Sequence, residues 1–227
     1  MDGIKEKILE YKKTSYHNSK YDGAVDTKQK IEIWDDATDK LSLYKRCWSN
    51  KNIDKRSIGR LGIKALSATY NGGKLQFLLN SNRVSYIDET KTLIKDDASE
   101  RELGKHLFTI YTNKDIAKIE SAFNGLRDLG LAYPVVAYYM FLVDKDKYLP
   151  LRVNGINKTL EDIGYNRILK SGSDYDYSNY MEYIDIMKEI QEKGEFQTLL
   201  EAHSLVWCVK KKTDDGSKKK HSKTKAE

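Results

Sequence analysis

The chain has almost none of the residues that stiffen or cross-link a backbone. Its 227 residues include two prolines, Pro134 and Pro150, and two cysteines, Cys47 and Cys208. Two thiols without close spacing make neither a disulfide framework nor a Cys-x-x-Cys zinc site. Each stands beside a tryptophan in an apolar run, the setting of a buried free thiol. No apolar run approaches the roughly 20 residues that span a bilayer. The opening Met1-Asp2-Gly3-Ile4-Lys5-Glu6 lacks the apolar core of a signal peptide. A cytoplasmic protein with no membrane partner is expected. The histidines at 17, 106, 203 and 221 show no His-x-His or His-Glu-x-x-His spacing, so no metal site is expected. A phosphate-cradling Gly-x-x-x-x-Gly-Lys-Ser/Thr loop and a Gly-x-Ser-x-Gly elbow are both missing. These absences speak against an ATPase motor and a serine hydrolase. They leave a non-catalytic protein, with no cofactor, as the expectation.

What is present is charge, unevenly spread. The formal net charge is +6. Residues 210–227 hold eight lysines against three acids, whereas residues 1–209 hold 32 basic and 31 acidic residues. The basic character thus belongs to a C-terminal stretch that reads as a disordered tail. Such a tail either keeps the protein in solution or adds phosphate affinity that weakens with salt.

Hydrophobic spacing predicts an α+β fold, helix-dominated, with a small antiparallel sheet in the N-terminal part. Residues 1–95 are expected to form a small α+β part and 96–209 a helical one. Ile4, Ile8 and Tyr11 share a face over Asp2–Lys13. The polar 14–30 reads as a loop, Ile31–Trp34 as a short strand, and Asp39–Trp48 as a helix. Residues 53–70 fit a helix only loosely, because Gly59 and Gly62 interrupt it. Leu75, Phe77 and Leu79 alternate, as do Val84 and Tyr86, which suggests a hairpin of 74–80 with 83–88. Ser99 and Glu102 are spaced as a capping box. Asn113 is placed to cap the next helix and Gly130 to end it. Residues 135–143, after Pro134, form a helix or a buried strand. Asp176–Lys193 is the clearest helix, and Glu195–Val209 follows with Leu199, Leu200, His203, Val206 and Trp207 on one stripe.

Two segments carry a resemblance. Residues 141–151 read Phe-Leu-Val-Asp-Lys-Asp-Lys-Tyr-Leu-Pro-Leu and precede a short helix. Residues 199–207 read Leu-Leu-Glu-Ala-His-Ser-Leu-Val-Trp. Together, over about 141–209, they resemble the target-reading, non-cleaving region of bacterial HNH-type and McrB-like restriction proteins. The chain lacks both the HNH domain and the motor that such proteins carry. The resemblance implies a non-catalytic nucleic-acid-binding or accessory module of a bacterial or phage defence system. The alternative is a protein-interaction protein, either a defence-system subunit or a phage-encoded inhibitor.

Candidate contact residues follow from chemistry. Lys145, Lys147, Arg152 and Lys158 can neutralise phosphates, and Asn154 and Asn157 can read base edges. Arg46 and Trp48, with Lys51, Lys55, Arg56 and Arg60, form a second basic-aromatic group in which Trp48 can stack a base. Tyr175 and Tyr177, among acids, suit a protein partner. The one trace of catalysis is Glu89-Thr90-Lys91, half of a metal-nuclease pattern for which Asp54 is the upstream acid. In so charged a chain this spacing arises readily by chance, and a solvated end of the hairpin is the simpler expectation.

Overall fold

The computed structural model describes residues 3–16, 23–45, 53–67, 69–70, 73–74, 76–79, 85–151, 153–166, 169–170 and 175–208. Helix accounts for 79% of the interpretable part. The α+β expectation is therefore overturned, and the fold is helical. Among the described residues, the strands are a two-residue antiparallel ladder. Thr69 opposes Lys74, and Tyr70 opposes Gly73.

The physical reasons are local. Ile31–Trp34 was expected as a strand, but it lies inside α2, Gly23–Lys45. The buried positions of α2 among the described residues are 23, 26, 27, 30, 33, 37, 38 and 41, a helical stripe that includes Asp26, Thr27, Lys30 and Thr38. Polar residues on the inner face hid the period from a search for apolar ones. The expected hairpin is replaced by a turn of helix, α4 (Gln76–Leu79), and by α5 (Tyr86–Leu93). Ser85 caps α5 by accepting a hydrogen bond from the Asp88 amide at 3.3 Å. Ile87, Thr90 and Ile94 then bury one side of it. Residues 80–84 lie outside the described residues.

The chain divides into two units that interleave in sequence. One comprises Lys30–Arg152 and Gly172–Met181. Its centre is α8, Tyr133–Val143, whose residues 134–142 are all buried. A helix apolar all round has to be enclosed, and this settles the helix-or-strand alternative for 135–143. Its two adjacent tyrosines both reach backbone of α3, Lys55–Ala65, or its end. Tyr138 donates to the Ala65 carbonyl at 3.0 Å, and Tyr139 to the Gly62 carbonyl at 3.1 Å. Burial holds both phenols above their ordinary pKa.

Helix α3 crosses α6, Asp97–Thr112, at backbone contact. A Cβ on Gly59 would stand 1.8 Å from the Glu100 carbonyl oxygen, and one on Gly104 would stand 1.7 Å from the Lys55 carbonyl oxygen. The glycines that weaken the helical reading of 53–70 are the residues that let the two helices meet. Asp96 and Ser99 form the capping box of α6, three residues before the expected Ser99–Glu102. Asp115 caps α7, Ile116–Asp128, while Asn113 closes α6. Gly130, at φ 87°, follows the end of α7 in the left-handed region.

The other unit comprises Met1–Gln29, Val153–Ser171 and Glu182–Glu227. It holds α1 (Gly3–Tyr11), followed by a π-helical turn at Lys12–Tyr16, and α9 (Val153–Ile163). It also holds most of α10 (Tyr177–Lys193) and a helix at 199–208, here α11. Lys12 closes the end of α10 by donating to the Gly194 and Glu195 carbonyls at 2.7 and 2.9 Å. A cation there complements the negative end of the helix dipole. Its ammonium also lies 4.5 Å from the centre of the Phe196 ring. In the same unit Tyr183, His203 and Trp207 form an aromatic row, with His203 stacked on Trp207 at 16° between planes. Thr27 donates to Ser204 at 2.9 Å.

Candidate binding surfaces

The segment singled out for nucleic-acid contact is built as a pinned loop. Lys145 lies 3.1 Å from Asp146 and 5.5 Å from the centre of the Trp34 ring. Lys147 pairs with Asp144 at 3.2 Å. Leu149, Pro150 and Leu151 are buried. The Tyr180 hydroxyl accepts from the Leu149 amide at 3.0 Å and donates to the Leu149 carbonyl at 2.8 Å. One buried phenol thus satisfies both polar groups of a loop residue that has no helix to do so. Tyr148 stacks on the same ring at 6.3 Å. The two lysines are therefore already neighboured by carboxylates on their own turn.

The remaining candidates separate. Asn157 does not present its amide to a ligand. Its Nδ2 donates to the Leu169 carbonyl and its Oδ1 accepts from the Leu169 amide, both at 2.9 Å. Lys158 is exposed on α9. Lys145 and Lys147 belong to one unit, while Asn157 and Lys158 belong to the other. Arg152, Arg46 and Trp48 lie outside the described residues, as does the side chain of Asn154.

The described part of the second basic group is spent on the α3–α6 crossing. Arg56 and Arg60 both donate from Nε to Glu100, at 3.1 and 2.8 Å. Arg56 also pairs with Asp97. Partial burial pushes the Glu100 carboxyl up, but the two guanidiniums outweigh it and hold the group below its usual range. Arg101 reaches back to Asp54 at 3.4 Å. Lys55 places its ammonium 3.1 Å from the centre of the Phe108 ring, and burial lowers its pKa.

Tyr175 and Tyr177 are core residues, 1% and 6% exposed. Tyr175 packs against Tyr133 at 5.0 Å, and Tyr177 meets the edge of Phe123 at 5.6 Å. They present no aromatic patch to a partner. Their polar neighbours on the chain suggested a surface, whereas the burial comes from helices distant in sequence. The Glu89–Lys91 pair is also misplaced by the sequence reading. It sits on helix α5, not at a hairpin end. Two residues apart on a helix, side chains diverge by about 200°, so these two do not converge on one metal or water. Asp54 is engaged as the cap of α3, accepting from the Arg56 amide at 3.2 Å. No cluster of three or more potential metal ligands occurs among the described residues.

Two clefts were not legible in the sequence. One, of about 490 Å³, runs between α6 and α7 and is lined by His106, Thr109, Asn113, Asp115, Lys118 and Ser121 among others. His106 packs against Gly125, where a Cβ would meet its ring at 2.2 Å. Burial there depresses its pKa against the raising effect of Glu102. The other cleft, of about 540 Å³, is lined by Ser85, Asp88, Glu89, Thr92 and Leu93 of α5 and its cap, with Gly130. No described helix is long and apolar enough to cross a membrane. Comparison with family models, curated proteins and solved structures finds no match to this chain.

Proposed function

We propose that the protein is a non-catalytic accessory module of a bacterial or phage defence system, working in the cytoplasm, that binds nucleic acid through the lysine-rich stretch 210–227. The observation that carries this reading is the partition of charge. The body is nearly neutral, and the stretch holds eight lysines against three acids. The cations of the body support it from the other side. Lys145, Lys147, Arg56, Arg60 and Arg101 all meet carboxylates within the fold. Among the described candidates, Lys158 is exposed and can assist.

Binding of this kind releases counterions, so log K falls linearly with log salt, with a slope of about 0.9 for each phosphate neutralised on duplex DNA. Removing 210–227 should flatten that slope and weaken binding. Equal slopes for the two proteins would refute the reading. A second reading, a protein-interaction subunit or phage-encoded inhibitor, is favoured by the near-neutral body. A dedicated reader of nucleic acid gathers more excess positive charge on its folded part.

A further inference from the structure

We propose that His106 latches α6 to α7 and that its protonation releases the latch, widening the cleft between the two helices. The latch is a matter of shape. Gly125 lies inside α7, where glycine weakens a helix relative to alanine. The place a side chain would take is filled from α6. A Cβ on Gly125 would stand 2.2 Å from Cε1, 2.7 Å from Nδ1 and 2.8 Å from Nε2 of His106. The ring therefore turns towards α7 the side that carries both nitrogens. A neutral imidazole fits there. A second proton would put its charge on the side of the ring that is turned from water.

The surrounding charges are few. Burial depresses the His106 pKa, Glu102 draws it up, Lys105 of the same helix lowers it, and Asp128 of α7 raises it. Nearer the start of α7, Asp115 and Lys118 line the same cleft and meet each other at 3.8 Å. Burial outweighs the two acids, so the latched state prefers the neutral ring. The latch is then strongest above the ordinary imidazole value of 6.5 and weakens as pH falls from there towards the latched value. Glu102, one turn back on α6, gives a charged ring a carboxylate to turn to. The inner side of α7 stays seated. Phe123 and Leu126 are fully buried, and Asn124 accepts from the Tyr177 amide at 3.1 Å. Release therefore frees the outer side of the helix along the cleft of about 490 Å³. The latch is independent of the nucleic-acid reading of 210–227, because none of its residues lies there.

The test is an NMR titration of the full chain between about pH 8 and 5, following the His106 Cε1 proton and the Gly125 amide. Amide exchange across α7 is compared at each pH with that of His106→Gln, which cancels the intrinsic effect of pH. His106 should titrate below 6.5, and the Gly125 amide should shift with the same midpoint. As pH falls, exchange around Gly125 should rise relative to His106→Gln. The rise should level off at the ratio of the acid dissociation constants of the latched and released ring. Gly125→Ala supplies the released state at neutral pH. Its methyl displaces the end of a flexible side chain, while alanine favours the helix, so far-UV circular dichroism should be unchanged. In that protein His106 should titrate higher than in the unaltered one. Three results would each overturn the proposal: a His106 midpoint at or above 6.5 in the unaltered protein, a Gly125 amide that ignores the His106 titration, or the same His106 midpoint in the Gly125→Ala protein.

Discussion

The α3–α6 crossing and the outward face of α5 belong to the same unit and are both rich in charge, yet they use it differently. At the crossing, Gly59 and Gly104 bring two backbones into contact, and Arg56 and Arg60 lock onto Glu100 beside them. Each charge there has an internal partner. On α5 the carboxylates of Asp88 and Glu89 face a cleft without one among the described residues. The difference shows that a charge count does not separate side chains engaged within the fold from side chains left at its surface. A basic residue engaged by an acid one helix away stabilises the fold, and the same residue in a linear sequence looks like a phosphate contact.

The largest effect should come from closing the gap between the helices. Gly59→Val or Gly104→Val places a side chain inside a neighbouring backbone, which cannot yield as a flexible side chain would. We expect a loss of about 3 kcal/mol or more, or failure to fold, measured by urea unfolding. A glycine in open space provides the control. Nothing lies within 4 Å of a Cβ on Gly3, so Gly3→Ala should be neutral or slightly stabilising. Equal tolerance at positions 3 and 59 would mean that the crossing is looser than described.

A smaller loss is expected at the pinned loop. Tyr180→Phe keeps the ring and removes the hydroxyl that serves both the amide and the carbonyl of Leu149. Leaving buried polar groups unpaired costs about 1–3 kcal/mol. Faster hydrogen exchange at the Leu149 amide would report the same loss locally. Unchanged stability and exchange would separate the loop from Tyr180.

Charge itself sharpens the comparison further. Glu100→Gln should lower the melting temperature and make it less sensitive to salt, because two guanidiniums lose their counter-charge. Glu89→Gln on α5 should leave both unchanged. The pH dependence of the crossing follows from sign. The Glu100 pKa is lowered in the folded protein, so its stabilisation is present above the ordinary carboxylate range and is lost as pH falls through the folded value. His106 acts in a separate window. Its folded pKa also lies below its unfolded one, chiefly from burial. Its stabilisation is therefore present above about 6.5 and declines as pH falls from there towards the folded value. His106→Gln should flatten that mildly acidic limb and leave the carboxylate limb in place. Two limbs that both persist in His106→Gln would assign the upper one to another group.

Sequence reasoning found helices where a long apolar stripe repeats at helical spacing, as in 176–193 and around Ile119, Phe123 and Leu126. It failed where the inner face was polar. The buried stripe of α2 contains Asp26, Thr27, Lys30 and Thr38, so only Ile31, Ile33 and Trp34 stood out, and they alternate like a strand. It also read Gly59 as a defect, because propensity concerns a lone helix and close approach concerns a pair. A cut at residue 95 has the same origin. The α3–α6 contact that ties residues 55–65 to 97–112 crosses it, and no local pattern marks that contact. The candidate site was legible in composition but not in geometry. Lys145 and Lys147 were visible as cations, while their pairing with Asp146 and Asp144 depends on the turn they occupy. The cleft beside α5 could not be foreseen while Ser85 and Asp88 were assigned to a strand.

The central claim is that the charge available to a polyanion lies chiefly in 210–227, whereas Lys145 and Lys147 are neighboured by carboxylates of their own turn. It is tested most directly by one salt-dependence series on a duplex DNA probe. The series compares the unaltered protein with Lys145→Ala/Lys147→Ala and with Lys210→Ala/Lys211→Ala/Lys212→Ala. The account predicts that the first variant keeps the slope of log K against log salt and that the second reduces it by about 2–3. A slope that falls in the Lys145/Lys147 protein and holds in the Lys210–Lys212 protein would contradict it.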